Sequence, residues 1–365
     1  MKTIVQVVQH LNPGGIETMA LDLLLHSDKN EKSYIISLEG TLDEAIANWP
    51  VLLPFKESLV FLDKKEGISP RTFLKLLSIF RKIHPDSVHT HHIGPLFYAG
   101  IASRIMGIKN LLHTEHDAWH LEDPKRKKLQ KFVVNVANPI IIADAVTVAN
   151  NLRKHLNKDN ISVIHNGINT ERFIPGNMYE ARKSMGLSTR SKIVGCGGRL
   201  EPIKGQSFLV EALSILPDNI HLAIAGDGSE RGNLQDQVEN LGIKHRVHFL
   251  GRIDNMETFY QSLDVFCLPS LNEGFPLSPL EAQSCGIRTL VTHVGGAHET
   301  ICPKTGMLVE EANPEALALS LQHMLKQPKS LSPRNYVKQH GNVQLMASAY
   351  RELRNTPRSN KFIIN

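Results

Sequence analysis

The sequence has little that could cross-link a small fold or bind a metal cluster. It contains four cysteines in 365 residues, and none belongs to a Cys-x-x-Cys pair. This scarcity argues against a disulfide scaffold and against a zinc site of the usual spacing. We therefore expect buried thiols in a reducing compartment. The cysteines are Cys196, Cys267, Cys285 and Cys302.

Long apolar runs and a strong excess of one charge are also missing. No uninterrupted apolar stretch has the length needed to span a bilayer, and residues 1–9 lack the apolar segment and cleavage site of a signal peptide. A net charge of +5, from 41 basic and 36 acidic residues, does not make nucleic acid an obligatory partner. We expect a cytoplasmic protein whose contact with a membrane, if it has one, is peripheral.

The sequence does have length and enough apolar residues for more than one core. With 41% hydrophobic residues in 365, it predicts two or three domains. A strand, a glycine-containing loop and a helix begin twice. Residues 3–8 lead through Gly14-Gly15 to one helix, and residues 192–198 lead through Lys204-Gly205 to another. This repetition predicts an α/β protein of two doubly wound domains.

Further periodic segments support this organisation. In the second half, predicted strands alternate with helical stretches such as residues 230–241, which implies a parallel sheet covered on both faces. The predicted strands are residues 221–225, 246–250, 264–268 and 288–291, with weaker candidates at 87–89, 110–113 and 144–148. Turn dipeptides put the domain boundary near residue 170. The domains are predicted at 1–170 and 171–340. A final helix at 343–353 and a loosely ordered tail from 354 make up the segment 341–365.

Two glycine-rich turns are candidate anion sites. Gly14 and Gly15 would let a backbone approach a ligand at a helix N-terminus, or would simply form a tight turn. Arg199 and Lys204 lie five residues apart at a strand-to-helix turn after Gly198. Two cations there suit a diphosphate, although exposed surface cations are common. The Walker spacing GxxxxGK[ST] is absent.

Two carboxylates, Glu273 and Glu281, are separated by seven residues after a predicted strand. Glu273 lies in a loop, since Gly274 and Pro276 disfavour a helix there. Ser278 fits a helix N-cap, and Glu281 fits the third helical position of a capping box. Glu281 therefore either caps the helix or, like Glu273, accepts hydrogen bonds from sugar hydroxyls.

Histidines and lysines form two further clusters. His89, His91 and His92 end one predicted strand, and His113, Glu115 and His116 end another. These side chains suit a polar cleft that binds a hydroxyl or phosphate, with a zinc site as the less favoured alternative. Five cations in seven residues, from Lys125 to Lys131, precede an apolar helical stretch. This cluster either contacts an anionic membrane or acceptor, or is a solvated helix face.

Together these segments resemble the family 4 glycosyltransferases, which are retaining, nucleotide-sugar-dependent enzymes of the GT-B fold. The matching segments are Asn12-Pro13-Gly14-Gly15-Ile16-Glu17, Thr114-Glu115-His116, Ile164-His165-Asn166-Gly167-Ile168-Asn169 with Phe173, Gly198-Arg199-Leu200 with Lys204-Gly205, Ile224-Ala225-Gly226-Asp227-Gly228, Leu250-Gly251-Arg252, Glu273 to Glu281, and Gly295-Gly296 with Glu299. The family's hinge usually has proline before Asn-Gly, and here the residue is His165. The resemblance implies two Rossmann-like domains that face each other across a cleft, with the last helix crossing back to the first domain.

The resemblance also implies roles for residues. Arg199 and Lys204 would hold the donor diphosphate, Glu281 the ribose, and Glu273 the donor sugar. His116 matches the family's histidine near the transferred sugar, with His113 as the competing candidate. The implied donor-binding set is Gly14, Gly15, Gly198, Arg199, Lys204, Arg252, Ile253, Glu273, Gly274, Phe275, Pro276, Leu277 and Glu281, and the implied catalytic set is His116, Arg199, Lys204 and Glu273.

The implied reaction moves a sugar from a nucleotide diphosphate to a hydroxyl of a glycan or lipid-linked acceptor, in polysaccharide or lipopolysaccharide synthesis. It implies no metal and no cofactor. The co-substrate would be a UDP-sugar in preference to a GDP-sugar. Contact with the inner face of an anionic membrane would use residues 125–131. A 2-epimerase of the same fold and a catalytically silent nucleotide-sugar-binding protein are the alternatives.

Overall fold

Two parallel β-sheets form the framework of the computed structural model, which describes residues 1–328 and 332–356. The strands are β1 (Lys2–Val8), β2 (Glu31–Ser37), β3 (Leu59–Phe61), β4 (Ser87–His91), β5 (Asn110–Glu115), β6 (Ile140–Ala143), β7 (Ile161–Val163), β8 (Lys192–Gly197), β9 (Ile220–Ala225), β10 (Val247–Gly251), β11 (Val265–Leu268), β12 (Arg288–Thr292) and β13 (Met307–Val309). The seven-stranded sheet has the order β3-β2-β1-β4-β5-β6-β7, and the six-stranded sheet has the order β10-β9-β8-β11-β12-β13.

Helices connect these strands, as parallel neighbours require. They are α1 (Gly15–Leu25), α2 (Leu42–Asn48), α3 (Pro70–Ile83), α4 (Ile93–Pro95), α5 (Ile101–Ile105), α6 (Pro124–Ala137), α7 (Val146–Leu156), α8 (Met178–Ser184), α9 (Gln206–Ile215), α10 (Arg231–Asn240), α11 (Met256–Gln261), α12 (Ser278–Ser284), α13 (Pro314–Lys326), α14 (Arg334–His340) and α15 (Val343–Asn355). A π-helical segment, Leu96–Gly100, joins α4 to α5.

The chain forms two compact units, each built on one sheet. The first comprises Met1–Asn166 and Gln344–Asn365, and the second comprises Gly167–Val343. In the first unit, α15 contacts β5 through Tyr350, whose hydroxyl lies 3.0 Å from that of Thr114. These limits lie a few residues from the predicted limits at 170 and 340. From residue 357 onward, the predicted tail lies outside the described residues.

The second unit shows why the strands are nearly continuous apolar runs. Val194, Leu222 and Cys267, on three neighbouring strands, are buried in one cluster with Leu209 of α9 and Leu321 of α13. A parallel sheet covered by helices leaves no face for polar side chains, so alternation disappears. The predicted α/β class of two doubly wound sheets is confirmed.

One strand prediction is wrong, and four strands escape the sequence pattern. Residues 144–148 form no strand: the strand is β6 (Ile140–Ala143), and α7 begins at Val146. The three isoleucines of β6 pair between β5 and β7, so the buried apolar run decides its position. The unpredicted strands are β2, β3, β7 and β13. Three of these are only three residues long, and β2 begins with the polar run Glu31-Lys32-Ser33.

Candidate functional site

In the six-stranded sheet, β8 and β11 are neighbours from which the strand order runs in opposite directions. In doubly wound sheets, the loops at the carboxyl ends of such a pair diverge and leave a crevice where ligands bind. The loop after β8 carries Arg199 and Lys204, and the loop after β11 carries Glu273. The residues predicted to bind the diphosphate and the sugar therefore lie at the topological switch point.

Lys204 and Glu273 form an ion pair between these two loops. Nζ of Lys204 lies 2.7 Å from Oε1 of Glu273, whose side chain is only 8% exposed. The hydroxyl of Ser270 donates a hydrogen bond to the same oxygen at 2.6 Å. Charge-assisted hydrogen bonds of this length are strong and directional. The fold thus fixes a cation and an anion that are 69 residues apart in the sequence.

Glycines let the two loops pack closely. The φ angle is +63° at Gly205 and +48° at Gly295, values that side chains disfavour. A Cβ at 205 would overlap the carbonyl oxygen of Pro269, and one at 295 would overlap that of Glu273. The amide of Gly296 also donates to the Glu273 carbonyl at 3.3 Å. The carbonyl of Glu273 is therefore held by the turn after β12, and Pro269 of the same loop packs against Gly205.

Arg199 lies on the same loop as Lys204 but is exposed. Its carbonyl accepts a hydrogen bond from Nε2 of Gln206 at 2.9 Å, which ties the loop to the first turn of α9. Gly198 precedes it with φ of +145°. The loop thus presents one exposed cation and one cation paired with a carboxylate.

Glu281 is held by a residue that the sequence does not single out. The hydroxyl of Tyr260 donates to Oε2 of Glu281 at 2.6 Å. Burial, and then the charge of Glu281, raise the pKa of Tyr260 well above 10, so the phenol remains a donor. The predicted N-cap at Ser278 is wrong: α12 begins at Ser278, and Leu277 precedes it without a side-chain cap.

The remaining predicted donor-binding residues occupy three places. Gly274 and Phe275 are buried and Pro276 and Leu277 half-buried in the loop after β11, while the exposed Arg252 and half-buried Ile253 follow the edge strand β10. Gly14 and Gly15 are exposed at the start of α1 in the first unit. The first turn of α1 also carries Glu17, whose carboxylate lies 3.2 Å from Nδ1 of His10.

In the first unit, His116 is built into the carboxyl edge of the sheet. Its Nδ1 lies 3.0 Å from Oδ2 of Asp144, the first residue after β6. Nδ2 of Asn166 donates to the same oxygen at 3.1 Å. On the other side of the ring, Nε2 lies 3.2 Å from Nδ1 of His91 at the end of β4. The ring is therefore held between groups from two other segments of the chain, and Asn166 holds the carboxylate.

The competing candidate, His113, is enclosed in the sheet. Its Nε2 lies 2.7 Å from Oε1 of Glu115, and its Nδ1 lies 2.9 Å from the Thr90 hydroxyl. The side chain is fully buried, whereas His116 retains 7% exposure. Both ring nitrogens of His113, like those of His116, are thus engaged within the unit.

Burial and charge act in opposite directions on these groups. Burial lowers the pKa of His116, but its hydrogen bond to Asp144 and the neighbouring carboxylates outweigh burial, so its pKa is raised. Burial lowers the pKa of His89 and His91 well below 6.5 and that of His92 to about 4. Burial raises the pKa of Glu115, but the charge of His113 outweighs it and brings the value to about 2. His116 is thus more basic than its buried neighbours His89, His91 and His92.

Two family descriptions match the chain over most of its length. Residues 177–342 match "Glycosyl transferases group 1", and residues 13–172 match "Glycosyltransferase Family 4". The chain belongs to glycosyltransferase family 4.

Curated relatives of this family 4 member include the D-inositol 3-phosphate glycosyltransferase of Corynebacterium urealyticum. It is 31% identical over 256 residues, which are 65% of this chain and 59% of that protein. The UDP-Gal:alpha-D-GlcNAc-diphosphoundecaprenol alpha-1,3-galactosyltransferase of Escherichia coli is 30% identical over 245 residues, 62% of each protein. The matches span less than two thirds of these relatives' lengths.

Solved structures agree in fold along almost the whole chain. The Anabaena protein HepE, crystallised with UDP, superimposes with a TM-score of 0.84 at 20% identity, covering 96% of this chain and 99% of that one. WaaG, a glycosyltransferase involved in lipopolysaccharide biosynthesis, superimposes with a TM-score of 0.74 at 16% identity, covering 97% of this chain and all of that one. The GT-B fold class predicted from the sequence is confirmed.

Several contact residues of this family 4 member escape the sequence pattern. Ser270, Tyr260 and Asp144 each hold a predicted site residue, and none belongs to a motif that we identified. Asp144 gave one usable signal, because a carboxylate directly after a buried apolar run lies at a sheet's carboxyl edge. Tyr260 gave none, since 21 residues separate it from Glu281.

The zinc alternative for the histidine clusters finds no support in their arrangement. Within residues 1–328 and 332–356, no three histidine, cysteine or acidic side chains are grouped to hold a metal ion. The ring nitrogens instead contact hydroxyls, amides, carboxylates and one another. His89, for example, places Nε2 2.7 Å from the Thr114 hydroxyl.

Three cations of the basic cluster, Lys125, Arg126 and Lys128, are exposed on the outward face of α6, and Lys127 and Lys131 are half-buried. Asp123 caps the helix by accepting from the amides of Lys125 and Arg126, and the inward face is Gln130, Val133, Val134 and Ala137. Outward-facing apolar side chains accompany the cations: Leu129 is 41% exposed and Phe132 57%. Among the helices of the described residues, none is long and apolar enough to cross a bilayer.

Proposed function

We propose that this protein is a retaining glycosyltransferase that moves a sugar from a nucleotide-diphosphate sugar to a hydroxyl of a glycan or lipid-linked acceptor. The Lys204–Glu273 pair at the switch point between β8 and β11 carries the proposal. It puts a cation for the diphosphate beside a carboxylate for sugar hydroxyls, within a chain that belongs to family 4.

The proposed chemistry follows from the charge that develops during transfer. Breaking the anomeric C–O bond leaves an oxocarbenium-like sugar and a diphosphate that gains negative charge. Lys204 and the exposed Arg199 would stabilise that charge more in the transition state than in the ground state. Since these cations supply the charge, the proposed reaction needs no divalent metal and no cofactor.

Retention is proposed to come from attack on the face that the leaving group vacates. The known alternative, a covalent glycosyl-enzyme, uses a carboxylate nucleophile beside the anomeric carbon. Glu273 has its Oε1 engaged by Lys204 and Ser270, which suits it to binding sugar hydroxyls. The departing phosphate would then receive the acceptor's proton. Determination of the product's anomeric configuration by NMR tests this step.

For the donor, we propose a UDP-sugar in preference to a GDP-sugar. The support is that HepE has been crystallised with UDP-glucose and that the Escherichia coli relative is named for UDP-Gal. Glu281 would bind the ribose, and Arg252 with Ile253 would lie near the base. On the family resemblance, Gly14, Gly15 and His116 would also contact the donor.

For the acceptor, we propose a lipid-linked or lipopolysaccharide-type glycan at the cytoplasmic face of the membrane. The Escherichia coli relative is named for a diphosphoundecaprenol-linked sugar, and WaaG for lipopolysaccharide biosynthesis. The outward face of α6 adds the combination of cations and exposed apolar side chains that peripheral membrane helices use.

The proposal is tested by a panel of nucleotide sugars followed by one substitution. A bound donor should raise the melting temperature by mass action. Lys204→Ala should then lower kcat/KM on the order of a hundredfold. Lys192→Ala is the matched control, since Lys192 also approaches a carboxylate, Oδ1 of Asp264 at 3.7 Å, but at the opposite end of β8.

Turnover measured with and without octyl glycosides as acceptors separates the alternatives. Transfer only in the presence of an acceptor supports the proposal. Conversion of the donor to its C2 isomer without an acceptor would indicate an epimerase. Stabilisation without turnover would indicate a silent binding protein, and unchanged turnover in Lys204→Ala would remove the proposed role of this cation.

A further inference from the structure

A chain of hydrogen-bonded side chains runs along the carboxyl edge of the seven-stranded sheet. It leads from Oδ2 of Asp144 to Nδ1 of His116 at 3.0 Å, and from Nε2 of His116 to Nδ1 of His91 at 3.2 Å. It ends where Nε2 of His91 lies 2.9 Å from Oε1 of Gln6. All four residues are at least nine-tenths buried.

Each hydrogen bond of this chain needs one donor and one acceptor, and this requirement determines which nitrogens of His116 carry a proton. An ionised carboxylate only accepts, so Nδ1 of His116 donates to Asp144. If the Gln6 oxygen accepts from Nε2 of His91, the other nitrogen of this neutral ring must accept. Nε2 of His116 then donates as well. A ring that donates from both nitrogens is an imidazolium.

Titratable groups approach His116 from several segments of the chain. Asp144 follows β6, and Glu115 and Asp117 flank His116 in the chain. His91 and His92 come from the end of β4, with ring centroids 5.5 Å from that of His116. His89 and His113 lie further inside the sheet, and burial keeps His89 and His91 neutral. The carboxylates near the ring therefore favour its protonated form.

We infer that Asp144 holds His116 as a fixed imidazolium and is a positioning residue for glycosyl transfer. The inference rests on the proposed function, in which His116 contacts the donor. Because both ring nitrogens are engaged within the unit, His116 neither takes a proton from the substrate nor gives one up. Its charge would stabilise negative charge that develops near the ring during transfer. Asn166, whose amide donates to Asp144, keeps the carboxylate in place.

The protonation state is tested on the full chain without any substrate. Long-range proton–nitrogen NMR correlations of the histidine rings distinguish an imidazolium from either neutral tautomer. The His116 signals are identified as those lost in His116→Asn. We expect both nitrogens to show imidazolium shifts at neutral pH. A neutral pattern there, as the opposite orientation of the Gln6 amide would give, overturns the inference.

The positioning role is tested by the pH dependence of transfer. If the cation is required, kcat/KM falls as the pH rises through the His116 pKa. Asp144→Asn keeps the shape of the side chain but removes the charge, so this basic limb should move down by about one to three pH units. Asp264→Asn is the matched control, since Asp264 is a buried carboxylate 2.6 Å from Arg182 in the other unit. It should lower stability without moving the limb.

The outcomes separate this inference from the proposed function. If the basic limb of the kcat/KM pH profile lies at the same pH in Asp144→Asn, the positioning role of Asp144 is overturned, even where transfer is intact. Absence of turnover in the unaltered protein with every nucleotide sugar contradicts the proposed function. The NMR result then still decides whether Asp144 holds an imidazolium. If Asp144→Asn does not fold, the NMR measurement on the unaltered protein decides alone.

Discussion

At the scale of single residues, the candidate donor site depends on two carboxylates with different partners. Glu273 is held by Lys204 and Ser270, and Glu281 by the buried phenol of Tyr260. Each of these bonds uses one carboxylate oxygen, and a carboxylate offers about four acceptor positions. Both side chains are thus fixed in place while keeping the capacity to accept further hydrogen bonds.

Replacing Glu281 by glutamine should weaken donor binding more than it slows chemistry. The strongest hydrogen bonds to charged groups contribute about 1.5 kcal/mol more than the strongest ones to neutral groups. This difference in free energy corresponds to about a tenfold difference in affinity. We expect KM for the nucleotide sugar to rise about tenfold with kcat little changed. Steady-state kinetics measure this. The control is Glu239→Gln, an exposed carboxylate paired with Lys244, and an unaltered KM in Glu281→Gln would contradict the ribose role.

The buried histidines should make the first unit sensitive to acid. His89, His91 and His92 have folded pKa values below 6.5, and His92 titrates at about 4. Below about pH 6.5, the unfolded chain therefore binds more protons at these histidines than the folded chain does. The free energy of unfolding falls as the pH drops through this range. The slope should be about 1.4 kcal/mol per pH unit for each such histidine. His116, with its raised pKa, has the opposite sign and loses its stabilising contribution only as the pH rises above 6.5.

Urea denaturation at several pH values between about 7 and about 4.5 measures this slope. His92→Gln should remove one histidine's share, whereas His323→Gln, at an exposed position on α13, should leave the slope unchanged. Stability that stayed constant on acidification would show that these rings are protonated in the folded state.

At the scale of elements, the site depends on how closely the loops after β8, β11 and β12 approach one another. The contact at Gly295 is between backbones, so no side chain can move aside to relieve an added atom. The loop that carries Glu273 is thus positioned by the turn after β12, which has no predicted ligand residue of its own. Packing of one loop against another, as much as the ligand residues themselves, sets the geometry.

Gly295→Ala should therefore displace the Glu273 loop. The added Cβ would overlap the carbonyl oxygen of Glu273, and φ of +48° would be strained. We expect donor affinity to fall at least about tenfold, together with a loss of roughly 1–3 kcal/mol in stability. Isothermal titration with a nucleotide sugar measures the first effect, and urea denaturation the second.

The matched control for Gly295→Ala is Gly232→Ala. Gly232 lies in α10 with open space at its Cβ position, so alanine should fit there and stabilise the helix by about 1 kcal/mol. Normal donor affinity in Gly295→Ala would mean that the turn after β12 does not position the site.

At the scale of the whole molecule, the density of positive charge on α6 is high although the net charge of the protein is small. The chain carries a net charge of only +5, and residues 125–131 contain five cations. Phe132 and Leu129 lie exposed on the same helix. A helix with cations and apolar side chains outward suits an anionic surface, where each basic residue contributes about 1 kcal/mol.

Reversing the charge of Lys125, Arg126 and Lys128 to glutamate should abolish binding to anionic vesicles. Removing three basic contacts should weaken the partition constant on the order of a hundredfold or more. Co-sedimentation with phosphatidylglycerol-containing vesicles measures this, and binding of the unaltered protein should decrease with salt.

For this face of α6, a matched triple of Lys304, Lys326 and Lys338 to glutamate changes the net charge equally at exposed sites in the other unit. If both triples weaken binding equally, net charge and not α6 governs the interaction. Phe132→Ser should weaken binding without any change in charge, which isolates the apolar contribution.

The sequence by itself determined the fold class and the residues at the two glycine-rich turns, because these depend on local patterns. A strand followed by glycines and a helix is readable wherever it occurs, as at residues 3–15 and 192–205. Short or partly polar strands such as β2 and β13 have too little local pattern to be recognised. The segment 144–148 was misassigned because its apolar residues belong to α7, and only pairing with β5 and β7 identifies β6.

The tertiary structure alone decided the partners. Lys204 meets Glu273 and Asp144 meets His116 because both members of each pair follow the carboxyl ends of neighbouring parallel strands. Tyr260 meets Glu281 because α11 packs beside α12. Which strands are neighbours is a property of the sheet order, and no spacing in the sequence encodes it. The raised pKa of His116 is likewise a tertiary property, since it depends on the hydrogen bond to Asp144, which follows another strand.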